Sequence, residues 1–256
     1  MQYTHKKSLG QHFLHDESIC KEIVASLHPN TKHLIEIGPG AGALTKYLIQ
    51  HAWDDFYCIE LDREKVLYLE QTIPSLKGKI RELDFLEAPK PSWHNFSVIG
   101  NFPYNISSQI VFKLLEWRGA VDEVVGMFQK EVAVRIASKE GNKDYGILSV
   151  LTQCYFELEY LMDVPPHCFT PAPKVMSGVI RMRRREQPLF DGDYNAFRKF
   201  IKVCFNQRRK TLRNGLKSFL PADQLTDSIF DKRAEQLSVS DFIALYNTRW
   251  PAGKKS

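Results

Sequence analysis

The residues HLIEIGPGAGALT, 33–45, decide the fold. Five mostly apolar residues, His33 to Ile37, read as a short buried strand. Gly38, Gly40 and Gly42 then crowd into a tight turn, and Leu44 to Ile49 reads as a helix. A glycine loop between a strand and a helix is the setting in which such a loop holds part of a cofactor. The pattern is G-x-G-x-G, and Ala43 stands where the dinucleotide fingerprint G-x-G-x-x-G places its last glycine or alanine. The spacing therefore leaves a dinucleotide open.

Working outward, apolar residues at helical spacing predict a helix over Asp16 to Leu27. Further strands are predicted at Phe56 to Glu60, Lys79 to Leu83, Ser97 to Gly100 and Val121 to Phe128. Helices are predicted at Arg63 to Thr72 and Ser107 to Trp117. Alternating strands and helices indicate an α/β fold with a parallel sheet covered on both faces. Beyond residue 130 the pattern changes. Ile147 to Tyr155 reads as a helix, Val175 to Met182 as a strand, and the tail from Tyr194 as short helices punctuated at Asn206, Gly215 and Pro221. Pro188 and Gly192 mark a linker. The expected division is a catalytic domain over 1–187 and a helical domain over 188–256.

Acidic residues follow the glycine loop at successive strand ends. Glu60 lies 22 residues after Gly38, in position to accept from two ribose hydroxyls. Asp84 stands at the next edge, where a carboxylate can accept from an adenine amino group. A pyrophosphate asks for a bare helix N-terminus with basic help. Here Glu36 flanks the loop, and no Lys or Arg follows it before Lys46. A cofactor carrying an ammonium and a sulfonium, S-adenosylmethionine, fits this charge pattern better. No catalytic hydride-transfer set is apparent beside the loop.

The fourth strand end reads NFPY, 101–104. Methylation of an exocyclic amine requires localising a lone pair that the ring delocalises. Two acceptors for its N–H groups, the Asn101 side-chain oxygen and the Phe102 carbonyl, would do so. Pro103 holds Phe102 extended and fixes that carbonyl's direction. Tyr104 offers a ring on which a base can stack, worth roughly 1–3 kcal/mol in comparable contacts.

Charge points to a polyanion. Between Arg181 and Lys217 twelve Lys and Arg face three Asp and Glu, a balance of +9 within a chain of net charge +5. Helical spacing over 206–217 would put Arg209 and Arg213 on one face and Lys210 and Lys217 on another. The 256 residues, with 43% hydrophobic content, suffice for a core and an appendage. No apolar run reaches membrane-span length, and no apolar segment follows the N-terminal basic residues. Five cysteines at 20, 58, 154, 168 and 204 form no C-x-x-C, which argues against a zinc ribbon or a disulfide framework. His5, His12 and His15 lack metal-ligand spacing. A cytoplasmic protein with reduced thiols is expected.

Taken together, KKSLGQHFL (6–14), EIGPGAGALT (36–45), ELD (60–62), DFL (84–86), NFPYNISS (101–108), MFQKEVAVRI (127–136), FTPAPKV (169–175) and CFNQRRKTLRNGLK (204–217) resemble, in order, the ribosomal RNA adenine dimethyltransferase family, closest to its small-subunit members. The resemblance implies a Rossmann-like S-adenosylmethionine-dependent methyltransferase fold with a small all-helical C-terminal domain. It implies dimethylation of N6 on two adjacent adenosines of a hairpin loop near the 3′ end of 16S rRNA, by a monomer acting on the small ribosomal subunit. It assigns His12, Leu14, Gly38, Gly40, Glu60, Asp84 and Asn101 to the cofactor, and Asn101, Phe102, Pro103, Tyr104 and Phe169 to the target base. Arg208, Arg209, Lys210 and Arg213 fall in its basic RNA-binding region. Two positions depart from it: His12 stands where many relatives have Asn, and Met176 where Asp is common. The alternatives are an erythromycin-resistance-type 23S rRNA methylase and a ribosome-assembly factor whose binding outweighs its methylation.

Overall fold

A computed structural model of the chain describes residues 12–250. In chain order the elements are β1 (Phe13–Leu14), α1 (Glu17–Ala25), β2 (His33–Ile37), α2 (Thr45–Leu48), β3 (Asp55–Glu60), α3 (Arg63–Thr72) and β4 (Ile80–Glu82). They continue with β5 (Phe96–Asn101), α4 (Ser107–Glu116), β6 (Val121–Gln129), α5 (Lys130–Ala137), α6 (Ile147–Tyr155), β7 (Phe156–Val164), β8 (Phe169–Thr170) and β9 (Ser177–Arg184). The last are α7 (Tyr194–Phe205), α8 (Leu212–Leu216) and α9 (Val239–Arg249).

The main sheet has the strand order β4-β3-β2-β5-β6-β9-β7. Strands β4 through β6 run parallel, and β9 joins β6 antiparallel. The order reverses direction between β2 and β5, the place where an open α/β sheet forms a crevice at its carboxyl edge. Strands β2, β3 and β5 are almost continuously buried, as parallel strands covered on both faces should be. A separate two-stranded pairing joins β1 to β8, with Phe13 opposite Thr170 and Leu14 opposite Phe169. Asp16 lies outside α1 and caps it, accepting from the Ser18 and Ile19 amides, which starts the helix one residue later than its apolar spacing suggested.

The chain forms two compact units. One comprises residues up to 134 with 158–184, and the other 135–157 with 185 onward. This differs from the expected single cut at 187/188. Helix α6 packs on α7 and α9, and the Arg185 and Leu189 amides donate to Tyr155 O and Cys154 O at 2.9 and 2.8 Å. Those bonds tie the expected linker and the residue before it to a helix thirty or more residues upstream. The second unit has an aromatic core in which Phe190 stacks on Phe197, with ring centroids 4.3 Å apart. Gly215 does not break the chain as expected. It sits within α8, which packs on α7, and a Cβ there would make ordinary contact, 3.9 Å, with the Val203 carbonyl. No helix among the described residues is long and apolar enough to cross a membrane.

Candidate active site

The glycine loop leaves β2 through three left-handed turns. Gly38, Gly40 and Gly42 have φ of 66°, 59° and 86°, a region that L side chains rarely adopt. A Cβ on Gly40 would lie 3.3 Å from the Phe13 ring, so β1 closes directly over the loop. The loop lines one wall of a cleft at the carboxyl edge of the sheet. Leu14, Glu36, Glu60, Asp84, Asn101 and Tyr104 line it as well. The cofactor residues expected from sequence, together with Asn101 to Tyr104, therefore converge on a single cleft.

The three carboxylates have distinct settings. Glu60 is buried, and its two oxygens accept from the Gly40 amide at 3.2 Å and the Asp62 amide at 2.9 Å. A carboxylate has about four acceptor sites, so capacity for a ligand remains. Asp84 uses one oxygen to cap the short turn after β4, accepting from the Leu86 amide at 2.8 Å. Glu36 is 1% exposed, and burial, reinforced by the neighbouring Glu60, pushes its carboxyl up to about 7. The Cys58 thiol donates to it at 3.5 Å. Lys65 is a cation in the cleft wall that sequence reading missed; its ammonium lies 5.1 Å from the Phe13 ring centroid. Leu61, 54% exposed, adds an apolar edge beside Glu60.

This donor set fits a cationic adenosine cofactor. Three carboxylates and one lysine line the cleft, and the bent glycine loop presents backbone rather than side chains. A pyrophosphate would meet net negative charge there.

The NFPY segment closes the cleft. Asn101 donates from Nδ2 to His12 O at 3.0 Å, and its Oδ1 accepts no hydrogen bond among the described residues. His12 donates from Nδ1 to Pro171 O at 2.8 Å, and its ring lies 5.3 Å from that of Tyr104. The Phe102 ring is buried and edge-on to Phe128, so Phe128 belongs to the core and does not cap the site. The Phe102 amide donates to Met127 O at 3.1 Å. Pro103 O accepts from Ser107 Oγ at 3.0 Å, which ties the motif to the start of α4.

Other expected residues sit elsewhere. Phe169 does not reach the mouth. It is 3% exposed, and its ring packs in the core with Leu14, Cys168 and Val179. Phe169 thus steadies β1 through the β1–β8 pairing and presents no face to a base. Met176 contributes its carbonyl, which accepts from the Lys130 amide. His5 and the first part of KKSLGQHFL lie outside the described residues.

The basic run is partly spent on structure. Arg181, Arg183, Arg184 and Arg185 pair with Glu159, Glu123, Asp122 and Glu157. Arg208 donates to Lys143 O and Tyr145 O at 2.6 and 2.7 Å, and Arg213 pairs with Asp231. Arg208 and Arg213 are therefore committed within their own unit. Residues 206–211 are turn, bend or irregular and only Leu212–Leu216 are helical, so the faces expected over 206–217 do not form as one helix. Arg209, Lys210 and Lys217 are exposed and make no ion pair among the described residues.

The strand order, the glycine turns and the acceptor-lined cleft define a Rossmann-like methyltransferase. The chain belongs to the ribosomal RNA adenine dimethylase family, whose model matches residues 2–249. It is 51% identical over 247 residues to a ribosomal RNA small subunit methyltransferase A of Cytophaga hutchinsonii, covering 94% of this chain and 96% of that one. Among solved structures, it shares its fold with a dimethyladenosine transferase from Plasmodium falciparum (TM-score 0.78, 24% identity, 92% of this chain and 98% of that chain). The 23S rRNA methyltransferase ErmE matches with TM-score 0.71 and 26% identity over the same shares of the two chains.

Proposed function

We propose that this protein uses S-adenosylmethionine to dimethylate N6 of two adjacent adenosines in a hairpin loop near the 3′ end of 16S rRNA. The observation that carries the reading is the meeting, in one cleft, of the strand-end carboxylates with the Asn101 amide, the Phe102 backbone and the Tyr104 ring. The family match and the small-subunit relative support the choice of substrate.

When bound, the cofactor supplies an electrophilic methyl on its sulfonium. Glu60 and Asp84 would hold its ribose and adenine, and Glu36 would favour its positive charge. Gly38 and Gly40 let the backbone approach closely, and His12 and Leu14 cover it from the β1 side. A target adenine extruded from its loop would stack on Tyr104. Its amine would donate to Asn101 Oδ1 and to the Phe102 carbonyl, which localises the nitrogen lone pair. No strong base is required, because the quaternised nitrogen releases its proton readily. The residues thus act by position and electrostatics. Arg209 and Lys210 would track phosphates, with base identity read only in the mouth. A cytoplasmic monomer accompanies this reading.

The test is transfer of labelled methyl from S-adenosylmethionine to unmethylated small and large subunits offered together. Label in the small subunit alone is expected. Label confined to 23S rRNA would replace this reading by that of an ErmE-like enzyme.

A further inference from the structure

We propose that Ser177 is a positioning residue for methyl transfer, acting through Tyr104. The inference rests on Asn101 to Tyr104 being the amine-binding mouth. The Ser177 and Tyr104 hydroxyl oxygens lie 2.6 Å apart, joining residues 73 positions apart in the chain. Ser177 has no exposed surface, whereas Tyr104 lines the cleft. The bond therefore runs from a core anchor to a ring that faces the ligand.

The anchor is itself held on several sides. Ser177 opens β9 and pairs with Gln129 at the end of β6. The carbonyl of the preceding residue, Met176, accepts from the Lys130 amide at 2.9 Å. Lys130 reaches back to Asp163 at 2.6 Å, and the Tyr160 hydroxyl donates to the same carboxylate. The next residue is Gly178, where a Cβ would lie only 2.4 Å from the Tyr160 hydroxyl. Glycine there lets Tyr160 lie flat against β9. The start of β9 is thus clamped by groups that take no part in binding the cofactor.

A tyrosine fixed only at its backbone can swing about χ1 and tilt about χ2. Pinned at its hydroxyl as well, the ring keeps one axis direction, and the His12 ring packed 5.3 Å away limits rotation about that axis. A base stacked on it inherits that orientation, and so does the amine nitrogen presented to the methyl. Small misplacements of a reacting atom reduce rate steeply. The ring of His12 lies against Tyr104 but leaves its hydroxyl to Ser177. Ser177 thus sets where the stacking ring lies without touching the base.

The test is a double-mutant cycle in the full-length protein on unmethylated small subunits. Ser177→Ala removes the anchor, and Tyr104→Phe keeps the ring but removes its hydroxyl. Each is expected to lower kcat about 3- to 10-fold, the range of one net hydrogen bond, with cofactor Kd unchanged. The double variant is expected to lose no more than the worse single, because both remove the same bond. Losses that multiply in the double variant would overturn the inference, as would a Ser177→Ala protein that melts earlier yet turns over normally. Tyr104→Ala separates the two levels: undiminished turnover there would overturn the mouth assignment itself, and this inference with it.

Discussion

Gly100 and Gly126 lie directly opposite each other on β5 and β6, and the ring of Phe102 fills the slot left by their missing side chains. A Cβ on Gly126 would lie 2.4 Å from that ring, and one on Gly100 would lie 2.6 Å from it. The buried ring works as a peg, and the Phe102 carbonyl rides on it. Gly126→Ala is therefore expected to destabilise the protein by about 1–3 kcal/mol through overpacking. Turnover should fall further than the loss of folded protein explains, because the displaced peg moves the carbonyl. Chemical denaturation alongside kcat per folded molecule checks this. Normal turnover at reduced stability would show that the carbonyl's direction does not matter.

Asn101 has one amide nitrogen committed to His12 O, so its oxygen is the acceptor available to an amine. Asn101→Ala should reduce methyl transfer on the order of 100-fold or more, as loss of a preorganised polar group in other active sites does. Calorimetry should show a smaller change in cofactor affinity, since the glycine loop and Glu60 remain. An equal loss in binding and turnover would make Asn101 a cofactor residue only.

Glu36 gives cofactor binding a pH dependence. Burial raises its carboxyl from an ordinary 4.5 to about 7. In the free protein it therefore keeps a proton that the unfolded chain has already released. Its contribution to stability is full below the ordinary value and is lost as pH rises through about 7. A cationic cofactor favours the ionised form, so affinity for S-adenosylmethionine should rise between pH 6 and 8. Glu36→Gln should flatten that rise. S-adenosylhomocysteine, lacking the sulfonium charge, should show a shallower rise in the wild type. Equal slopes in wild type and Glu36→Gln, measured by calorimetry, would place the dependence on another group.

Arg209 and Lys210 are exposed without ion pairs among the described residues, whereas Arg208 holds two carbonyls of the loop before α6. Replacing Arg209 and Lys210 by Ala should weaken RNA binding and reduce the slope of log K against log salt by roughly 1.5–2. Arg208→Ala should lower the melting temperature and leave the salt slope nearly unchanged. Titrations at several salt concentrations separate the two cases.

These residues also show what the sequence could and could not disclose. The β2 strand and the glycine cluster after it announced the α/β sheet, because period and turn chemistry are local. Glu60 and Asn101 were legible as cleft-lining positions because each ends a buried strand, and strand ends in a parallel sheet share an edge; Asp84 follows the more exposed β4 by two residues and lines the same cleft. The role of Phe102 was half legible. Its carbonyl followed from Pro103, but the slot that seats its ring needs the register of two strands 26 residues apart. Phe169 misled for a related reason. Its proline-rich surroundings resemble a binding loop, yet pairing with Leu14 turns its ring into the core. Arg208 and Arg213 counted as free charge in a linear tally, and only the fold supplies the carbonyls and the Asp231 carboxylate that occupy them. Ser177 had no local signal at all.

The most direct measurement is nucleoside analysis of 16S rRNA after unmethylated small subunits are incubated with the protein and S-adenosylmethionine. Four methyls per subunit are expected, as N6,N6-dimethyladenosine at two adjacent positions near the 3′ end. Methylation at another base or atom, or none in 16S rRNA while 23S rRNA is modified, would contradict the reading of this cleft.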